Sequence, residues 1–485
     1  MAPEESAAAS IRIVNLAAGQ SHSMAPLGAL YVVAALEEAG HQVSFEDYAL
    51  HARALAAGGP DRGTPALDPD RIARFLGRGG PRILGISTFA SLLPFAIAAL
   101  PSLKRRSPGT IVILGGPGPS ATPGEILKCF REVDFVVYGE GEETAVELLD
   151  SLSHGTPSLD LIEGLAWRSP GRGVVVNPPR ARRRDLDDVP FPAYHHVDLS
   201  RYDVVGVIYS RGCPYACTYC DVVSMWKRRN IARSLDNVLA EIRWLTEEKG
   251  IRHVAFVDDL FTVDRRRVLA FCEAHGAARE RGAGSPGRAS WGITTRIDRV
   301  DDELLVRMAA AGCVYVFYGV ESGSAKILAR INKVIPFEAT ARAVRTSAGL
   351  GMYVHTPLLW GFPFETMDDF RETIAFGRYL EHCGGHVFYS LVTPLPATAL
   401  AEEFRERILF DPSIYSTIIA PGREADLSQV ADLIREHPRI FSGFHHFADG
   451  LVPEKLALGR SLGIELTDIR LSDLARDDTP APEVA

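Results

Sequence analysis

No run in this 485-residue chain is apolar for long enough to cross a bilayer. The most hydrophobic stretch, Leu92–Leu100, is broken by Pro94, and a spanning helix needs about 20 consecutive apolar residues. Met1 to Ser10 is small and acidic, without the positive flank and apolar centre of a signal peptide. Positive charge is also in short supply: 52 Lys and Arg stand against 61 Asp and Glu, a net charge of -9. The broad basic surface that nucleic-acid binding requires is therefore not expected. The one basic cluster, Arg180 to Arg184, runs straight into Asp185, Asp187 and Asp188 and reads as a solvated linker rather than an anion site. Cysteine is scarce and odd in number, seven in all, so no disulfide framework is implied and a reducing cytoplasm fits. A dinucleotide fingerprint is missing too, since no G-x-G-x-x-G follows the first strand.

What the chain does have is two successive alternations of strand and helix. Apolar runs at Ile11–Leu16, Val43–Phe45, Ile83–Thr88, Ile111–Leu114 and Phe135–Val137 are separated by helical segments such as Leu27–Ala39. That order predicts a doubly wound parallel sheet, whose ligands bind beyond the carboxyl ends of the strands. The loops at those ends include Ala17–Pro26, Ser87–Leu93, Gly115-Gly116-Pro117-Gly118-Pro119 and Gly139-Glu140-Gly141-Glu142. Glycine lets a bulky or phosphate-bearing ligand approach the backbone, although glycine turns also close sheets that bind nothing. Ala52–Asp70, rich in Gly, Pro and Ala, reads as a surface excursion. Residues 156–203 read as a connection containing a hairpin at Leu165–Val176. A second series follows, with strands at Val204–Ser210, His253–Val257, Ala289–Thr294, Val314–Val320, Met352–Leu359 and His386–Val392. Six such repeats fit an open (β/α)6 barrel, whose functional groups collect at the C-terminal strand ends.

The first barrel strand leads into Cys213-Pro-Tyr-Ala-Cys217-Thr-Tyr-Cys220. Three thiolates within eight residues can wrap one metal centre, and Arg211-Gly212 lets the chain turn sharply off the strand. Iron–sulfur clusters normally take four cysteines, and no fourth is near, so three ligands leave one iron open, much as a catalytic zinc keeps one position free. A Cys3His zinc site completed by His195 or His196 is the alternative. Cys129, Cys272, Cys313 and Cys383 read as small core residues. The same barrel face should carry Asp258-Asp259, Arg296, Glu321-Ser322-Gly323-Ser324 and Gly361-Phe362-Pro363-Phe364-Glu365-Thr366. Asp258, Asp259 and Arg296 can equally be strand-end caps or ion pairs.

The spacing C-x3-C-x2-C, with Tyr219 just before the last cysteine, resembles the cluster loop of the radical S-adenosylmethionine (SAM) enzymes. The resemblance implies a [4Fe-4S] cluster on Cys213, Cys217 and Cys220, with SAM at the open iron. Glu321 can then meet the SAM ammonium, Arg296 its carboxylate, and Asp258 or Asp259 its ribose, with Gly361 in the same set. In that family the Glu-Ser-Gly-Ser position reaches the methionine end of SAM and the aromatic before the last cysteine packs near adenine, which carries over to Glu321 and Tyr219. Pro26-Leu27-Gly28, Gly115-Gly116-Pro117 and Tyr138-Gly139-Glu140-Gly141-Glu142 resemble the cobalamin-binding domain of one large radical SAM subfamily. This implies a corrinoid across the carboxyl edge of the first sheet, touching Pro26, Leu27, Ser87, Thr88, Gly115, Gly116, Pro117, Gly139, Glu140, Gly141 and Glu142. Many relatives have His after Gly-Gly-Pro, where this chain has Gly118. The D-x-H-x-x-G motif is missing, so cobalt is expected to carry no histidine, and Ser21, His22 and Met24 are in range of its lower face. Asp187-Asp188-Val189-Pro190-Phe191-Pro192 resembles the linker of these enzymes. Thr393–Thr398 resembles their Pro-x-Pro-Gly-Thr turn, with Ala397 replacing Gly and disfavouring a positive φ there.

The expected organisation is a cobalamin-binding Rossmann-like domain over residues 1–155, a linker over 156–203 and a partial (β/α)6 TIM-barrel radical SAM domain over 204–395. A mostly helical cap over 396–474 and a disordered tail over 475–485 complete it. In the cap, Tyr415, His437, Phe444, His445 and His446 read as a packing face rather than a substrate pocket. The resemblance implies methyl transfer from SAM through methylcobalamin to an unactivated carbon of a small molecule or peptide. An electron donor such as flavodoxin or ferredoxin is implied, and neither nucleic acid nor membrane. A cobalamin-dependent cyclase or ring-rearranging enzyme, a radical SAM enzyme with a degenerate first domain, and a non-catalytic corrinoid or metal sensor are the alternatives. The strand-end motifs at Glu321 and Gly361 argue against the sensor.

Overall fold

The computed structural model describes residues 9–16, 24–56, 67–280, 289–412, 414, 427–464 and 466. Strands β1 (Ser10–Leu16), β2 (Gln42–Asp47), β3 (Ile83–Thr88), β4 (Ile111–Gly115) and β5 (Phe135–Val137) pair in parallel in the order β2-β1-β3-β4-β5. After Ser10 every residue of β1 is buried, as expected of a parallel strand covered by helices on both faces. The strand order reverses at β1, with β2 on one side and β3 on the other, and the crevice above this switch point is where ligands of such sheets bind. The hairpin β6 (Leu165–Ser169) and β7 (Gly173–Val176) adds antiparallel to β5. The first sheet is therefore mixed and seven-stranded, and part of the expected connection extends it, covering an edge that three-residue β5 would leave exposed.

The second sheet begins at β8 (Val205–Val207), and the Cys loop leaves it through β9 (Ser210–Arg211), paired antiparallel with β10 (Ile231–Ala232). Then β11 (His253–Phe256), β12 (Ser290–Thr295), β13 (Cys313–Tyr318), β14 (Tyr353–Trp360) and β15 (His386–Leu391) follow β8 in sequence order, all parallel. No pairing joins β15 to β8, so the barrel is open. Its helices start where the side chains permit. Ser234 and Asp301 accept from backbone N–H groups three residues on, and Thr366 with Asp369 forms a capping box ahead of Met367–His382.

The two domains share one core. Ile11, Ile13 and Leu30 of the first belong to the same apolar cluster as Val205, Trp291 and Trp360 of the second. Ala25 N–H donates to Val204 C=O at 3.1 Å, and the Tyr202 hydroxyl reaches Asp47 Oδ2 at 2.8 Å. Other differences from expectation are local. The segment Tyr48–Ala56 is helical, overriding the excursion expected from Ala52, while 57–66 lie outside the described residues. Cys129 is exposed, whereas Cys272, Cys313 and Cys383 are buried. The C-terminal region does more than cover the barrel, because Leu427, Val430, Ile434, Phe441 and Phe444 pack into the outer core of the first domain. There His437 meets the Phe130 ring at 4.8 Å and His445 donates or accepts within its own turn, so both serve packing. Tyr415 and the expected tail lie outside the described residues. Ala397 does adopt a positive φ, 61°, so the turn keeps its left-handed form without glycine.

Candidate active site

Several loops at the C-terminal barrel edge are tied to the Cys loop by short polar contacts. Asp258 carboxylate oxygens accept from Tyr209 N–H at 2.8 Å and from Ser210 N–H and Oγ at 2.6 Å. Asp259 Oδ2 accepts from Gly212 N–H at 2.8 Å. Both carboxylates thus fix the turn into Cys213, and burial pushes each up to about 6. Gly212 takes φ 95°, and a Cβ there would lie 2.1 Å from Arg229 O, so only glycine fits the turn. On the other side, Thr218 N–H donates to Ile331 C=O at 3.1 Å and Asn332 Nδ2 to Ala216 C=O at 3.0 Å.

Cys213, Cys217 and Cys220 are half-buried, and burial raises all three thiols, Cys220 to about 12. A bound metal centre reverses that preference and holds thiolates. Two cations flank Cys217. Arg296 Nη1 stands 3.7 Å from its sulfur, and Lys333 and Arg296 both act to lower the thiol against burial. Among the described residues, the one trio of metal-type donors mutually within 4.8 Å is Glu37, His195 and His196. The cysteine sulfurs do not form such a set, although tetrahedral zinc at about 2.3 Å from each would bring them to roughly 3.8 Å. His195 and His196 are held by Glu37 at 3.1 and 2.7 Å and do not form a donor set with the cysteines.

The expected SAM-binding residues meet around this loop in different ways. Arg296 is paired with Asp298 at 2.9 and 3.0 Å and lies over the Tyr215 ring at 3.7 Å. Glu321, at φ 71°, binds Lys333 Nζ at 2.6 Å. Burial and the adjacent Glu321 push the Tyr219 phenol far above its ordinary range, and the Tyr219 ring meets Phe362 edge-on at 6.4 Å. Gly361, at φ 89°, donates its N–H to Glu365 Oε2 at 2.6 Å. Lys333 and Asn332 gave no signal in the sequence, because they follow an ordinary helix, Ala325–Arg330, and no motif marks them.

Above the first sheet lies a cavity of about 780 Å³, near the upper end for small-molecule and cofactor sites. Pro26, Leu27, Ser87, Gly115, Gly116, Pro117, Gly139, Glu140, Gly141 and Glu142 line it, together with Arg211, Asp221, Met225, Trp226 and Asp259 from the barrel side. Thr88 does not: a Cβ on Gly116 would sit 2.7 Å from Thr88 O, so this residue packs beneath the glycine loop. Gly118 is explained similarly, since a Cβ there would lie 2.6 Å from the Phe89 carbonyl carbon, leaving no room for a histidine. Gly28 and Gly139 face open space, with no heavy atom within 4 Å of a notional Cβ, as a cradle for a broad flat ligand requires. Met24 lines the cavity, while Ser21 and His22 lie outside the described residues. The carboxylates of Glu140 and Glu142 are occupied by Arg211 at 3.0 and 2.7 Å, and Glu140 also by Arg182 at 2.9 Å. The residue two before the first cysteine is thereby bound to the wall of the other domain's cavity.

A cavity shared by a doubly wound sheet and an open barrel, with a three-cysteine loop at its edge, defines a corrinoid-type domain joined to a radical SAM domain. Family models agree: the B12 binding domain matches residues 13–149 and the radical SAM superfamily residues 207–377. The chain is 31% identical over 336 residues to an uncharacterized methyltransferase of Pyrococcus horikoshii, covering 68% of this chain and 71% of that one. It is 27% identical over 468 residues to cytidylyl-2-hydroxyethylphosphonate methyltransferase of Streptomyces wedmorensis, covering 86% of each. The fold is that of the radical SAM methyltransferase TsrM from Kitasatospora setae, solved with cobalamin and a [4Fe-4S] cluster, at TM-score 0.70, 20% identity and coverage of 93% and 91%. The chain belongs to the cobalamin-binding radical SAM enzymes.

Proposed function

We propose that this enzyme is a C-methyltransferase that moves a methyl group from SAM, by way of methylcobalamin, to an unactivated carbon of a small molecule or peptide. The observation that carries the reading is the single cavity of about 780 Å³ bounded by the first-domain glycine loops and by barrel residues flanking the Cys loop. Of the residues expected to hold SAM, Asp259 lines this space, and Arg211 and Asp221 bring it to both ends of the Cys loop. When bound, the cluster with SAM supplies one-electron cleavage to a carbon radical, and the corrinoid supplies the methyl group. Cys213, Cys217 and Cys220 would hold the cluster, and Pro26, Leu27, Gly115, Gly116 and Gly139 would support the corrinoid. Asp258, Asp259 and Asn332 hold the cluster loop in place, and the aromatic and aliphatic walls exclude water from a reactive radical. A flavodoxin or ferredoxin would deliver the electron. No helix of the described residues is long and apolar enough to cross a membrane.

Anaerobic reconstitution should yield labile sulfide with iron at about four per chain, and not zinc. The reconstituted enzyme, given methyl-labelled SAM, cobalamin and a pool of candidate substrates, should place label on carbon and release 5′-deoxyadenosine. Release of 5′-deoxyadenosine with an altered but unlabelled product would overturn methyl transfer in favour of cyclisation or rearrangement.

A further inference from the structure

Two histidines and one carboxylate converge where the helix Leu27–Glu38 meets the connection between the domains. Glu37 stands in the last turn of that helix, and His195 and His196 lie in the single 3-10 turn Tyr194–His196. His196 Nε2 is 2.7 Å from Glu37 Oε1, and His195 Nε2 is 3.1 Å from Oε2 and 3.3 Å from Oε1. One donor atom of each residue lies within 4.8 Å of the other two. Glu37 has no lysine or arginine partner among the described residues, so its charge is answered only by the two imidazoles. The trio is also held together by contacts that are not its own. Ala193 N–H donates to Leu30 C=O at 3.1 Å, the buried Tyr194 ring stacks on Trp244 at 5.6 Å, and the Tyr194 hydroxyl donates to Glu241 at 2.8 Å. The His196 ring meets Phe45 edge-on at 6.4 Å. The turn is therefore docked on the helix without help from Glu37, and the three side chains are brought together in advance.

We infer that Glu37, His195 and His196 form a binding site for a divalent transition-metal ion of zinc type, built without the cysteines and completed by water. Two imidazole nitrogens and one carboxylate oxygen are a ligand set that zinc takes when it keeps an open position, whereas magnesium and calcium prefer oxygen alone. Ligand atoms about 2.1 Å from a tetrahedral ion lie roughly 3.4 Å apart. The observed separations of 2.7 to 3.3 Å need only a slight outward turn of the side chains to admit one. The His195 side chain, 66% exposed, is free to make that turn, while Glu37 and His196, 30% and 18% exposed, form the fixed side of the site. The ion takes the place of the protons that otherwise bridge Nε2 and carboxylate, so binding releases protons and weakens as pH falls. Its effect is that of a brace. It ties the connection to a helix whose Leu27, Gly28, Tyr31 and Val32 line the large cavity.

The test uses tag-free, full-length protein with its cluster reconstituted, so that the cysteines are occupied, and then treated with a chelator to strip other metal. Zn2+ affinity is read by competition with a chromophoric chelator, in the presence and absence of Mg2+. Wild type should bind about one Zn2+ per chain beyond the cluster iron, with no competition from Mg2+. X-ray absorption at the zinc edge should show nitrogen and oxygen at about 2.0–2.2 Å and no sulfur at about 2.3 Å. His195→Ala, His196→Ala and Glu37→Gln should each weaken binding by about tenfold or more, since even the outer partners of metal ligands are worth that much. Glu37→Gln keeps the shape of the site and hydrogen-bonding groups for both rings, so it separates loss of the ion from loss of the fold. The unfolding midpoint should rise with Zn2+ in wild type and stay put in Glu37→Gln. No uptake by folded wild type, a sulfur shell around the zinc, or affinity unchanged in all three variants would each overturn the inference.

Discussion

Arg211→Met should loosen the junction between the two domains, and the cost can be worked from the contacts it removes. Arg211 donates to Glu140 at 3.0 Å and to Glu142 at 2.7 Å, and its guanidinium lies 5.1 Å over the Tyr31 ring. Glu140 keeps Arg182 in the variant, so one buried carboxylate, Glu142, loses its partner. Leaving one charge of a buried pair uncompensated costs about 3–5 kcal/mol. At about 3 kcal/mol the open fraction of the junction rises by roughly two decades. Hydrogen exchange over residues 139–143 and 209–212, together with urea denaturation, reads this directly. The pH dependence supplies a second check. Burial raises Glu142, but Arg211 outweighs it and the net shift is below 4.5. Its wild-type contribution is therefore present above that value and is lost as pH falls through the depressed folded pKa. In the variant, burial is opposed only by a backbone hydrogen bond and by Arg183, so the folded carboxyl keeps its proton to higher pH than in the wild type and the stability gained above 4.5 shrinks. The gap between wild type and variant should accordingly be wider near neutrality than near pH 5. Adding Glu142→Gln should recover part of the loss, because no orphan charge remains. A variant within about 1 kcal/mol of wild type, or a gap that ignores pH, would refute the reasoning.

The cob(II)alamin form should show no nitrogen superhyperfine splitting from an imidazole, since no histidine stands among the described residues lining the cavity; such splitting in the electron paramagnetic resonance spectrum would contradict the claim. Ala397→Gly should stabilise by about 0.5 kcal/mol, the left-handed backbone cost of about 1–2 kcal/mol less the extra chain entropy of glycine. A lower urea midpoint in that variant would mean the turn is not strained by alanine.

The amino-acid order alone determined the two alternating βα series, and with them the placing of Cys213, Asp258, Arg296, Glu321 and Gly361 at one barrel edge. Local periodicity carries that information, because a parallel strand covered on both faces must be apolar along its length and its loops must then emerge at a common end. The glycine loops at Gly115 and Gly139 were legible for the same reason, as strand-end turns in which Gly116 and Gly139 take a positive φ. Which partner each charge takes was not legible. Glu140 and Glu142 look like cavity residues in the sequence, but their carboxylates are bound by Arg211, about seventy positions away in the chain. Glu321 looks free to meet a ligand, but Lys333 reaches it across a helix and a turn. Ion pairs of this kind have no period and no fixed spacing, and they depend on how two separately formed surfaces meet. Only the packing of the domains against each other decided them, along with the return of residues 427–444 onto the first sheet's outer core.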